Sequence, residues 1–361
     1  MTQKPPSVLI EALEDRCGLL YATDETPGYT RRRHGGGFVY LSPEGKRVDD
    51  PALIRRFKAM VIPPAWSDVW ICPEEHGHIQ VVGRDAKGRK QYIYHPDWES
   101  MRNETKFARM QAFGAALPRI RSRVDADLRR RGFPLEKVAA VVVSLLDETA
   151  LRIGNREYER QNDSYGLVTL KDEHVALSGA HIHIAFNGKR GKLQTVDLQN
   201  RRLARLVKQC QELPGQALFQ FESDTGELQP MGSGDINRYL KDISGDEITA
   251  KDFRTWGASV LAAEALHALG PEERATVLRR NISACLRTTA TRIGNTPTVC
   301  RKYYVHPGVI ESYENGSLFA AFELAARESD GTGLSLPERA FLRIMEEIGG
   351  DGRPEQASPG R

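Results

Sequence analysis

The chain of 361 residues carries 51 Lys+Arg against 48 Asp+Glu, a formal net charge of +3, with 40% hydrophobic and 27% charged residues. That length holds two or three domains with a sizeable core, and the balance excludes a disordered or membrane-embedded chain. No apolar run approaches the roughly 20 residues of a membrane helix, and the start "MTQKPPSVLIEALEDRCG" lacks the basic and apolar blocks of a signal peptide. Five cysteines without CxxC pairing fit reduced thiols in a cytoplasm and argue against a disulfide scaffold or a structural zinc.

In chain order, the first hundred residues read as mainly β. Candidate strands are "GGFVYLS", "VWICP", "HIQVVGRD" and "RKQYIYHP", punctuated by Gly, Pro and Asp. Between the first two, "DPALIRRFKAMVIPP" predicts a helix that Asp50 caps, Pro51 starts and Pro63-Pro64 stops. "GRDAKGRKQY" reads as a hairpin turning at Asp85 to Gly88, with four cations near its end. A long helical region begins near Trp98, and "LEKVAAVVVSLLDETALRIG" predicts an apolar helix ending at Gly154. A β-rich insert follows in "YGLVTL", "HVALSG", "HIHIAF" and "LQTVDL", with Asn187-Gly188 turning between two alternating strands. Beyond Asn200 the chain reads as helical, through "DINRYLKDI", "KDFRTWGASVLAAEALHAL" and "EERATVLRRNISACL". The final dozen residues, rich in Gly, Pro and Ser, read as a frayed tail. The expected fold class is α+β. A β-rich domain is expected over residues 1–98, a mainly helical domain with a β insert over 99–320, and a C-terminal helix with a disordered tail over 321–361.

Charge is uneven: between Arg102 and Lys137 ten Lys/Arg stand against four Asp/Glu. That surplus suits nucleic acid, and equally a solvated helix face. Four pieces carry more chemistry. Arg152 lies in "TALRIGN" after the apolar helix, and Lys189 lies in "FNGKRGK" on a turn. Arg254 lies in "TAKDFRTWGAS", where Thr249 and Asp252 resemble a capping box that puts Arg254 in an early helical turn. In "RIGNTPTVCRKYYVHP", Thr296 caps and Pro297 starts a helix expected to run through Tyr304. Singly, each cation reads as a solvated surface group. Together, two arginines able to grip non-bridging oxygens, a mobile lysine and a tyrosine specify a phosphate site. No G-x-x-x-x-G-K-[ST] loop supports a nucleotide cofactor. The "DAD" acids Asp125 to Asp127, among arginines, read as structural, and His181 and His183 as one exposed strand face, so no metal is expected.

The order Arg152, Lys189, Lys251-x-x-Arg254, then Gly294-Asn295-x₈-Tyr304 resembles the catalytic domain of type IB DNA topoisomerases, in particular the small bacterial and poxvirus-like enzymes. The resemblance extends to "RIGNREYERQNDSYGLVTLKDEHV", "VIPPAWSDVWICP" and "GRDAKGRKQYIYHPDW", covering roughly residues 30 to 315. It implies a two-domain clamp around duplex DNA, with Tyr304 as nucleophile and Arg152, Lys189, Arg254 and Asn295 completing the site. It also implies DNA contacts by Lys251 and by the hairpin residues Arg84, Lys87, Arg89, Lys90, Gln91, Tyr92 and Tyr94. The implied activity is relaxation of supercoiled DNA through a 3′-phosphotyrosyl intermediate, by a cytoplasmic, nucleoid-associated monomer needing neither ATP nor obligatory metal. Tyrosine recombinases share this core, but usually show H-x-x-R where this chain has Lys251 to Arg254 and a histidine where it has Asn295. A DNA-binding protein that has lost catalysis is the third reading, which the presence of all five site residues disfavours.

Two tyrosines compete for the nucleophile's role. Adjacent helical residues point about 100° apart, so only one can meet a phosphate. Val299 shares a face with Tyr303, which suggests that Tyr303 packs in the interior. The family spacing selects Tyr304, nine residues beyond Asn295.

Overall fold

The computed structural model describes residues 18–328 and 330–350. The chain divides into two compact units, residues 1–106 and 107–361. In the first, β1 (Tyr29–His34), β2 (Gly37–Leu41), β3 (Ser67–Ile71), β4 (Ile79–Arg84) and β5 (Lys90–Tyr94) form one antiparallel sheet in the order β2-β1-β3-β4-β5. Helix α1 (Pro51–Ala59) starts as expected, with the Asp50 carboxylate accepting from the Ala52 amide. It stops at Met60, ahead of the two prolines, because Val61 turns into the left-handed region. Its Phe57 is wedged between Tyr29 and Tyr40 at 5.0 Å from each ring, over Val69, Ile71 and Val81.

β1 is a strand that hydrophobic alternation does not reveal, since its sequence is "YTRRRH". The inward residue is Arg31, 8% exposed. Its guanidinium donates to the carbonyls of Ile62, Pro63 and Trp66 at 2.8–3.0 Å and lies on the Phe38 ring. A buried charge with every visible bond made to carbonyls behaves as a structural clip between strand and loop.

A 32-residue helix, α2 (Pro96–Asp127), runs out of the first unit into the second. There α3 (Leu135–Thr149) is the central apolar rod, with Val138 to Val143 buried without interruption. It ends five residues before the expected Gly154. Ala150 takes the left-handed conformation (φ 51°), and the Thr149 hydroxyl, turned back to Leu145 O, accepts from the Leu151 amide. After α4 (Arg156–Asn162), the segment "YGLVTL" is not the strand expected but a 3₁₀ turn at Leu167–Thr169. A three-stranded sheet follows: β6 (Val175–Ser178), β7 (His181–Asn187) and β8 (Leu193–Gln199), in sequential order. Its inner positions alternate as predicted, and His181 and His183 face outward. His183 Nδ1 lies 2.6 Å from Asp197 Oδ1.

Helix α5 (Arg201–Gln211) precedes a small hairpin of β9 (Gln220–Glu222) and β10 (Leu228–Pro230), in a stretch expected to be wholly helical. The remaining helices are α6 (Ser233–Ser244), α7 (Ala250–Ala268), α8 (Ala275–Arg292), α9 (Pro297–Tyr303), α10 (Pro307–Asn315), α11 (Ser317–Arg327) and α12 (Leu336–Gly350). Two C-terminal helices therefore stand where one was expected, and Phe322 and Phe341 bury them in the main core. The tail expected to fray lies beyond Gly350, outside the described residues. Asp125 and Asp127 are structural. Asp127, 2% exposed, accepts from Arg123, Arg130 and Tyr239, while Asp125 pairs with Arg129 and Arg202.

One ion network ties α2, α3, α7 and α12. Arg121 bonds Asp147 and Glu338 at 2.7–3.0 Å, and Glu338, 6% exposed, also accepts from Trp256 Nε1 and from Ser335. Removing one member of such a network leaves a buried charge without compensation. Arg121→Ala is expected to cost about 3 kcal/mol in urea unfolding. A loss below about 1 kcal/mol would class the network with solvent-exposed pairs.

Candidate active site

The turn Ile293–Gly294–Asn295, at the end of α8, is held between two arginines. Arg152 follows α3 in a loop anchored by its own backbone. Its carbonyl accepts from the Leu167 amide at 2.9 Å, and Ile153 O accepts from Val168 N at 2.8 Å. That is the local job of the "YGLVTL" turn. A methyl group on Gly166 would come within 2.6 Å of Arg152 O, so only glycine permits this approach. The Arg152 guanidinium then donates to Gly294 O (3.1 Å) and Asn295 Oδ1 (2.6 Å). Arg254, 4% exposed on α7, donates to Ala150 O and to Ile293 O (2.9 Å). The capping box is formed as predicted: Thr249 N and its hydroxyl both donate to Asp252 Oδ2 at 2.8 Å. From that early turn the Arg254 guanidinium is held by backbone carbonyls.

Tyr304 is not on the helix that precedes it. α9 ends at Tyr303, and Tyr304 is its capping residue, with its amide on Cys300 O at 2.9 Å. The packing argument for Tyr303 is overturned: Tyr304 packs against the main core, while Tyr303 lies outside it beside Lys302. The Tyr304 ring is 5.1 Å from the Arg254 guanidinium carbon. Behind it, Ser259 of α7 contacts Tyr304 O (3.2 Å) and accepts from the His306 amide (2.9 Å), fixing the backbone on both sides of Val305.

Burial alone would raise the Tyr304 phenol, but Arg254, Arg152, a hydrogen bond from Arg254 and, least of these, Lys251 together bring it below its ordinary value. Arg254 is pushed down to about 10 by burial and by Arg152 beside it, and remains a cation at neutral pH. Two buried donors, Arg254 Nε and Asn295 Nδ2, have no hydrogen-bond partner among the described residues. Guanidiniums are donors only, so Arg152 must face the amide oxygen of Asn295, which leaves Nδ2 to donate elsewhere. Cations and spare donors around one phenol are the chemistry that suits a tetrahedral oxyanion group.

Residues 90–323 match the family described as the eukaryotic DNA topoisomerase I catalytic core, and residues 37–85 match the bacterial DNA topoisomerase IB N-terminal domain. DNA topoisomerase 1B of Acanthamoeba polyphaga mimivirus is 30% identical over 81% of this chain and 89% of its own length. DNA topoisomerase 1 of Rabbit fibroma virus is 24% identical over 70% of this chain and 79% of its own. The chain belongs to the type IB DNA topoisomerases.

In this topoisomerase Lys189 is exposed in the loop between β7 and β8, closed by Gly188 N donating to Lys192 O at 2.9 Å. The loop has five residues, with the left-handed conformation at Gly191 rather than at the Asn187-Gly188 pair. Its root adjoins the central turn, because Gln194 packs against both Gly188 and Gly294. Lys251 is exposed on the first turn of α7. In the first unit the hairpin residues are largely committed to one another. Arg89 pairs with Asp85 (2.6 Å), Lys90 with Asp24 (2.8 Å) and Arg84 with Asp68 (3.7 Å), and the Gln91 amide donates to Asp85 (3.2 Å). The bond to Arg89 holds the Asp85 carboxyl down to about 2. Tyr92 and Tyr94 stack at 5.9 Å, with Lys90 over Tyr92. Lys87 is exposed at the tip. Ser259 was invisible in "WGASVLAAEAL", where a serine reads as helix filler. Gln194 left a signal: it shares the inward parity of Val196 and Leu198 on β8.

The charge balance at Tyr304 has a direct consequence. In protein labelled at the tyrosine ring carbon, Arg254→Met is expected to raise the Tyr304 titration above that of the wild type, because burial persists while the largest opposing charge is gone. Tyr304→Phe assigns the resonance. An unchanged midpoint would show that Arg254 does not act on the phenol.

Proposed function

We propose that Tyr304 is the nucleophile of DNA cleavage, with Arg152, Arg254 and Asn295 binding the scissile phosphate and Lys189 serving as general acid. The observation that carries this reading is the Tyr304 ring against Arg254, beside the turn where Arg152 fixes the Asn295 amide. The phenol oxygen attacks phosphorus in line with the 5′ oxygen, and its proton passes to water. The P–O5′ bond breaks as Lys189 protonates the leaving oxygen. The products are a 3′-phosphotyrosyl link and a free 5′-hydroxyl. Religation is the reverse, so bond energy is conserved without nucleotide hydrolysis, and strand rotation between the two steps relaxes supercoils. A free phenol with a pKa near about 10 is ionised little at neutral pH. The cations around Tyr304 favour both the phenolate and the charge accumulating on the phosphate.

The substrate on this reading is duplex DNA, gripped mainly through its phosphates and released by salt. In the second unit, Lys251 and the exposed arginines of α8, a helix with no acidic residue, supply positive surface; in the first, the contacts would come from the hairpin residues between Arg84 and Tyr94. Gln91 would have to leave Asp85 to read an adenine edge, so backbone and stacking contacts by Lys87, Tyr92 and Tyr94 are favoured for the hairpin.

Tyr304→Phe is expected to abolish covalent DNA linkage and plasmid relaxation without ATP or Mg²⁺, while DNA binding persists. A relaxing Phe variant would remove Tyr304 from the role. Asn295→Ala is expected to lower single-turnover cleavage by about 10²–10³. Asn295→Asp should fall further, since a carboxylate would hold both oxygens toward Arg152 and repel the phosphate. Cleavage at the wild-type rate in Asn295→Ala would exclude an Asn295–phosphate bond.

A further inference from the structure

We propose that Gln194 is a positioning residue that sets the Lys189 loop at a fixed distance from the Gly294–Asn295 turn. The inference rests on the general-acid reading of Lys189. Gln194 is the second residue of β8, opposite Phe186 of β7, and points inward on the face of Val196 and Leu198. It is 9% exposed, and its amide nitrogen makes one long bond, 3.4 Å, to Leu193 O. A branched aliphatic would satisfy such a strand position without burying an amide so poorly bonded. What the glutamine does instead is occupy the space between two glycines. A methyl on Gly294 would fall 1.7 Å from Gln194 Oε1 and 2.5 Å from its Cδ. A methyl on Gly188 would fall 2.7 Å from Gln194 Cγ.

The two backbones are therefore separated by the thickness of one unbranched side chain. One leads directly to Lys189 and the other to Asn295. Gly294 also needs its left-handed conformation (φ 65°), but Gly188 does not (φ −85°), so at Gly188 the reason for glycine is close approach, first by Gln194 Cγ at 2.7 Å and then by Lys192 O at 3.3 Å. Gln194 touches no reacting atom. It acts through the loop, by limiting where the Lys189 ammonium can reach relative to a phosphate on Asn295.

The test compares single-turnover cleavage of two suicide duplexes, one with the ordinary 5′ oxygen and one with a 5′-bridging sulfur, whose thiolate leaves without a proton. Gln194→Ala is expected to slow cleavage of the oxygen substrate by at least about tenfold, within the range that general acids contribute. On the sulfur substrate it should return to near the wild-type rate, with unchanged duplex affinity. Gly188→Ala, which leaves Gln194 in place but pushes the loop from it, should give the same sulfur-selective recovery and guards against misfolding of one variant. Lys189→Ala is the control. If Lys189→Ala recovers on sulfur while Gln194→Ala and Gly188→Ala are slowed equally on both substrates, the positioning role is overturned and the general acid stands. If Lys189→Ala does not recover, the general-acid reading fails and takes the inference with it.

Discussion

Two guanidiniums set side by side without a carboxylate, Arg254 buried and Arg152 half-buried, are the constraint on which the catalytic unit depends. Among the described residues neither Arg152 nor Arg254 forms an ion pair. Their bonds go to the carbonyls of Ala150, Ile293 and Gly294, to the Asn295 amide and, from Arg254, to the Tyr304 phenol. Desolvation lowers the affinity of both for their protons. Burying like charges together is costly unless fixed dipoles compensate, and the carbonyls must therefore be aimed with care. The early end of α3 follows from this. A left-handed Ala150 presents its carbonyl to Arg254, and Gly257, one turn further along α7, leaves room for the Ala150 methyl at 3.3 Å from where its own would be. The stability surrendered there is what an incoming anion returns.

Helix α7 acts as the ruler for the site. Lys251, Arg254, Thr255 and Ser259 are spaced three, four and eight residues along one stripe. Lys251, Arg254 and Ser259 reach, in turn, the field around Tyr304, the two flanking turns, and the backbone on either side of Val305. Ser259 is fully buried, and its hydroxyl also donates to Thr255 O at 2.8 Å. Placing Tyr304 just past α9 frees its backbone from the helical repeat. The ring can then turn onto Arg254 instead of following the helix surface that carries Tyr303.

Much of this arrangement was legible in the sequence where local chemistry decides the structure. Asp50-Pro51, Thr249-x-x-Asp252 and Thr296-Pro297 mark helix starts that the backbone honours, because capping uses only neighbouring residues. The alternation of "HIHIAF" and "LQTVDL" likewise translates directly into a two-faced sheet. Helix ends and β1 were not legible, since they are set by partners far along the chain. Arg31 reads as surface until Ile62, Pro63 and Trp66 supply its acceptors. Ala150 carries no sign of its left-handed turn until Arg254 appears from α7. The choice of Tyr304 over Tyr303 rested on spacing to Asn295, while the local packing argument offered for it pointed to the wrong tyrosine as the buried one. The resemblance located the residues; only the packing explains why the second tyrosine is the one facing the cations.

The depressed phenol belongs to the site before DNA arrives. On the proposed reading, a phosphodiester held by Arg152, Arg254 and Asn295 would add a negative charge beside Tyr304 and offset the cations that favour its ionisation. The same cations cannot serve the phenolate and the phosphate at full strength together. Their effect is conserved only if charge moves from the phenol oxygen toward the non-bridging oxygens as the bond forms, which is the course of the attack. A neutral donor at position 295 suits this division. A histidinium there would strengthen the grip on the ground-state phosphate and add a titration near neutrality. The Asn295 amide, oriented by Arg152, would offer a bond that does not titrate and, in the proposed mechanism, leave the cationic burden to the arginines and Lys189.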